Sequence, residues 1–100
     1  MAFDASQTGP IRLDEETIAS MRLALRAYVD RADESAPLRS ALAVMTTEAR
    51  RKAMLPEQLL IVLKELWTSL AEVREIADVS EQIRMQQRVV TMCIREYFDA

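Results

Sequence analysis

The sequence predicts an all-α fold: a small antiparallel bundle of four helices with a flexible N-terminal arm. Three observations predict it. The 100 residues contain one Gly, three Pro and no Asn, too few turn formers for a fold built on hairpins. Ala, Leu, Arg, Glu, Met and Gln dominate the composition, and all are strong helix formers. Apolar residues make up 50% of the chain and recur at helical spacing through four segments. One domain of ordinary size accommodates them, residues 13–100, with residues 1–12 as the arm.

The arm lacks periodicity and contains Gly9-Pro10. At its end Ile11 and Leu13 are apolar enough to tuck against a core. A first helix is expected from about Glu15 to Ala32, with Asp14 as N-cap. Its Ile18, Met21, Leu25, Tyr28 and Val29 share one face, away from Glu16, Arg22, Arg26 and Asp30. Asp33-Glu34-Ser35 breaks the pattern. A second helix is expected from about Ala36 to Ala53, capped by Ser35, with Pro37 in its first turn. Leu38, Ala41, Leu42, Met45, Ala49 and Ala53 form its inner stripe. Glu48 is placed to pair with Lys52 one turn on.

A third helix starts at Pro56. Gln58 occupies the position of a capping-box partner, and Met54 and Leu59 can form a hydrophobic staple. Leu55 is a poor N-cap, so a kinked continuation of the second helix is the alternative. Leu59, Leu60, Val62, Leu63, Leu66, Trp67, Leu70 and Val73 span an apolar arc of roughly 160° at 100° per residue. The fourth helix opens on Asp78-Val79-Ser80-Glu81, a capping-box pattern with Asp in the Ser/Thr role, and runs to about Phe98. Ile83, Val90, Cys93, Ile94 and Tyr97 mark one face. Met85, Val89 and Met92 widen the apolar arc to roughly 240°. Short connections favour antiparallel neighbours, hence an up-and-down arrangement.

Composition also excludes chemistry. The chain has no His, so a Ser-His or Cys-His nucleophile pair within it is excluded, as are a Glu-x-x-His di-iron site and His-ligated haem. Zinc would have to rely on one Cys and carboxylates, an unfavourable set. A single Gly leaves no glycine-rich phosphate loop. We therefore expect no cofactor, no metal and no enzyme. Neither an 18-residue apolar run nor a basic, apolar leader is present, so neither a transmembrane helix nor a secretory signal is expected. The lone Cys93 suits a reducing cytoplasm.

The width of the apolar arcs carries the functional expectation. A small monomeric bundle needs one stripe per helix. The fourth helix offers more, and Ile61 points away from the apolar face of the third. We expect a non-catalytic protein-interaction module, self-associating as a dimer, with Ile61, Trp67, Met85, Val89, Met92 and Phe98 as interface candidates. The competing reading makes the fourth helix central, with the arm covering the remainder and Trp67 as a core anchor beside Leu63 and Leu70.

The second functional expectation is a small nucleic-acid-binding regulator. It would use Arg84, Arg88 and Arg95, which fall within about 40° of one another on a helical wheel, or the cluster Arg50-Arg51-Lys52. The formal charge of −3 counts against it. Glu81 and Asp99 can neutralise part of the Arg84–Arg95 stripe and make it an ordinary solvated face. Cys93, between Val90 and Tyr97, reads as a buried structural thiol rather than a nucleophile. Glu65, Glu72 and Glu75 read as exposed carboxylates.

Overall fold

A computed structural model describes residues 11–31 and 35–98. The described residues form an all-α bundle of five helices: α1 (Glu15–Asp30), α2 (Ala36–Arg51), α3 (Pro56–Ser69), α4 (Ala71–Arg74) and α5 (Val79–Phe98). The first ten residues of the expected arm, and Asp99, lie outside the described residues. At the arm's end Leu13 is buried while Ile11 stays largely exposed, and Lys52 Nζ donates to the Arg12 carbonyl at 2.7 Å.

The core is assembled from the stripes the spacing predicts. Met21, Leu25 and Tyr28 of α1 meet Leu38, Leu42, Met45 and Ala49 of α2. Leu59, Leu63, Leu66 and Trp67 come from α3, and Met85, Val89 and Cys93 from α5. Packing does not follow chain order, however. α2 and α3 are consecutive yet scarcely touch; α5 packs on both. Arg39, near the start of α2, shares a cavity with Met92 and Arg95. Arg50, at its end, donates to the Tyr97 carbonyl at 2.9 Å. Hence α2 crosses the C-terminal half of α5. Tyr97 Oη also donates to the Met54 carbonyl at 2.7 Å, which ties the end of α5 to the α2–α3 turn.

That turn separates the two helices rather than kinking them. The Met54 N–H bonds the Ala49 carbonyl at 2.8 Å and the Ala53 N–H bonds Arg50 at 3.1 Å, the pair of bonds of a Schellman cap. Met54 and Ala49 are both buried, supplying its apolar contact. Ala53, at φ 59, is the residue in the left-handed region, where a Cβ is disfavoured. Ala53→Gly is expected to stabilise the protein by about 0.5–1 kcal/mol, the relief of strain exceeding the entropy glycine adds to the unfolded chain. A higher urea midpoint at unchanged slope would check it. Gln58 Oε1 then accepts the Leu55 N–H at 2.9 Å, the half of the capping box that does not need a polar side chain at Leu55.

The third helix is shorter than its apolar pattern suggests. It breaks at Leu70, which is extended (φ −79, ψ 126) before the single turn of α4. Beside the break the Thr68 and Ser69 hydroxyls bond the Lys64 and Leu66 carbonyls at 3.1 and 2.7 Å. The swing buries both Leu70 and Val73 and brings Glu72 to 3.6 Å from Arg26. Asp78 Oδ1 caps α5 through the Ser80 N–H at 2.9 Å, while Glu81 pairs with Arg84 at 2.7 Å.

Candidate functional site

The surface of α5 is the centre of functional interest because it divides into three sectors. On a wheel of about 100° per residue, Met85, Val89 and Cys93 define the buried sector. These three residues and Trp67 lie within the protein's own core, so Trp67, Met85 and Val89, expected at an interface, are buried inside the bundle, whereas Ile61 and Phe98 are exposed. Met92 is half-buried. The face marked by Ile83 and Ile94 is not the inner one: α2 and α3 reach α5 on the side that sequence periodicity treats as an extension.

One exposed sector carries no charge over the length of α5. It contains Val79, Ser80, Ile83, Gln86, Gln87, Val90, Thr91, Ile94 and Phe98, an arc of roughly 140° on the same wheel. Ile83 is 49% exposed, Ile94 39% and Phe98 66%. Val90 is half-buried. Lys64 of α3 borders this surface in a groove shared with Ile83 and Val90. On the exposed side of α3, Ile61 is 59% exposed.

The other exposed sector, an arc of roughly 60°, holds Arg84, Arg88, Arg95 and Glu81. Arg84, Arg88 and Arg95 line an open groove of about 540 Å³ with Tyr28, Ser35 and Met92, and Gln87 and Thr91 of the uncharged sector form its border. Arg39 reaches Arg95 from α2 in an adjoining cavity. Helical spacing brings the three α5 arginines together; the crossing of α2 adds the fourth.

The second basic cluster is dispersed by folding. Arg50 is bonded to Tyr97, and Lys52 is engaged by Glu48 at 2.8 Å and Asp14 at 3.0 Å. Arg51 remains exposed. Glu48 is itself the main buried polar group, 5% exposed. It accepts from the Thr17 hydroxyl and from the Asp14 N–H at 2.5 Å, clasping the start of α1 to the end of α2. Burial pushes its carboxyl up, but Lys52, Thr17 and the Asp14 amide together hold it below its ordinary value. Glu48 with Thr17 was not legible as a buried cluster, since its partners come from another helix.

Cys93 is buried, and burial pushes its thiol up to about 12, which opposes formation of a nucleophilic thiolate. Among the described residues no group of three or more Cys, Asp or Glu is arranged to hold a metal ion. No helix among them is long and apolar enough to cross a membrane. No family model, curated protein or solved structure gives a significant match to the chain.

Proposed function

We propose that this protein is a non-catalytic helical interaction module that forms a homodimer through the uncharged sector of α5, in the cytoplasm. The observation that carries this reading is the continuity of that sector. In a sequence that is 29% charged, a full-length exposed strip without one charge is poorly suited to facing water. It is well suited to meeting itself. A two-fold interface places each residue near its own copy or a near neighbour, so charges of one sign would repel. Gln86, Gln87 and Thr91 supply neutral hydrogen-bonding groups around Ile83, Val90, Ile94 and Phe98. The interface core thus passes from Trp67, Met85 and Val89 to Ile83, Ile94 and Phe98, while Met92 lies at the opposite edge of α5 and Ile61 stays exposed on α3.

The non-catalytic part of the reading rests on the absence of His from the sequence and on the buried, protonated state of Cys93. A reducing cytoplasm fits the single free thiol.

Ile83→Glu with Ile94→Glu tests the dimer. Both side chains are exposed, so the helical circular-dichroism signal is expected to persist. Light scattering is expected to show the unsubstituted protein as a dimer at high micromolar concentration and the double variant as a monomer. The like charges brought together across the two-fold axis would lower the affinity by about tenfold or more. An unchanged mass for the variant would contradict the assignment of the face.

A further inference from the structure

We propose that the arginine sector of α5 is a second docking surface, which takes an acidic segment of a partner protein. This surface adjoins the dimer face on α5, with Gln87 and Thr91 at the border between them.

The argument begins with charge. Four guanidiniums, from Arg39, Arg84, Arg88 and Arg95, converge on one groove and its adjoining cavity. Among the described residues the carboxylates beside them are Glu96, in the adjoining cavity, and Glu81, bound to Arg84. Among the described residues Arg39, Arg88 and Arg95 have no ion-pair partner, unlike Arg26, Lys52 and Arg84. The described residues thus gather an excess of positive charge at this groove, on a protein whose net charge is −3. Such a surface selects a short anionic ligand, because a long polyanion would also meet the acidic remainder of the molecule.

Geometry narrows the ligand. Arg84 and Arg95 are about 16 Å apart along α5 at 1.5 Å per residue, the reach of about five residues of extended peptide. Arginine pairs with carboxylates through two parallel hydrogen bonds. Met92 and the edge of Tyr28 add apolar contact within the groove. Tyr28 is buried, so its ring does not offer the exposed stacking face that single-stranded nucleic acids use. These features favour an acidic peptide with interspersed apolar side chains over a nucleic acid.

The probe is a short fluorescein-labelled peptide of alternating glutamate and leucine, followed by anisotropy at low salt. Saturable binding that weakens as salt is added is expected. Arg88→Glu with Arg95→Glu should weaken it by about tenfold or more, and the neutral pair Arg88→Gln with Arg95→Gln should weaken it less. Arg51→Glu, at the far end of α2, should leave it unchanged. The neutral pair Ile83→Gln with Ile94→Gln, which removes apolar contact from the dimer face without adding charge, should bind the peptide at least as well as the unsubstituted chain, which separates this surface from the dimer face. The inference is overturned by absence of binding at low salt, by equal binding in both Arg88/Arg95 variants and the unsubstituted chain, or by tighter binding of a thymidine oligonucleotide of equal charge.

Discussion

Replacing Trp67 with alanine is expected to lower the stability of the fold by about 3–5 kcal/mol, the cost of removing a large buried aromatic from a packed core. Trp67 is 2% exposed and belongs to the same core as Leu63, Leu70 and Val73. In a domain of this size the loss corresponds to a fall in melting temperature of more than about 10 °C. The same measurement separates two roles for the residue. A core anchor destabilises the protein at every concentration, including below the dimer's dissociation constant. An interface anchor would leave the monomer's stability unchanged and make the effect depend on protein concentration. Thermal melts across a wide concentration range are expected to show the first behaviour.

Glu48→Ala is expected to cost about 2–4 kcal/mol. The substitution removes a buried carboxylate that accepts from Thr17 and the Asp14 amide and pairs with Lys52, so buried donors lose their acceptor. Glu48→Gln keeps the shape and one acceptor oxygen and should cost less. The pH dependence has a definite sign. The carboxyl of Glu48 is held below its unfolded value of 4.5, so the unfolded chain binds the proton more readily than the folded one. Its contribution is therefore fully present above about pH 4.5 and is lost as the pH falls through the lower, folded value. Urea midpoints are expected to fall between pH 6 and pH 3 in the unsubstituted protein, and Glu48→Gln should flatten that part of the fall. An equal fall in both proteins would assign the acid sensitivity to other groups.

The difference between these two residues shows what a sequence of this kind discloses. Trp67 lies on an apolar face repeated every three to four residues, and burial of such a face follows from helical geometry alone. Glu48 has one legible partner, Lys52, because both are on the same helix. Its other partners, Thr17 and Asp14, are more than thirty residues away in sequence, and only packing of α1 on α2 brings them to it. The break at Leu70 is similar. Neither Gly nor Pro marks it, and the chain turns there so that both Leu70 and Val73 are buried, which is a matter of packing rather than of local spacing.

The candidate surfaces follow the same division. The wide apolar arc of α5 was legible, and so was the conclusion that one small bundle leaves part of it uncovered. Which part stays outside was not. Periodicity ranks Ile83 and Ile94 with Val90 and Cys93, whereas the crossing of α2 and the position of α3 select Met85, Val89 and Cys93 for the core. Arg84, Arg88 and Arg95 share a sector by helical spacing. Arg39 joins them because α2 crosses α5, and no spacing within either helix contains that fact. The cluster Arg50-Arg51-Lys52 is contiguous in sequence but divided in space, as Arg50 turns to Tyr97 and Lys52 to Glu48 and Asp14.

The claim on which the functional account turns is that the uncharged sector of α5 is covered by a second copy. Sedimentation equilibrium of the unsubstituted chain, from low to high micromolar concentration, tests it most directly. The account expects the mass to rise with concentration to twice 11.4 kDa and to stop there, as a closed two-fold interface requires. A mass of 11.4 kDa at every concentration would contradict it.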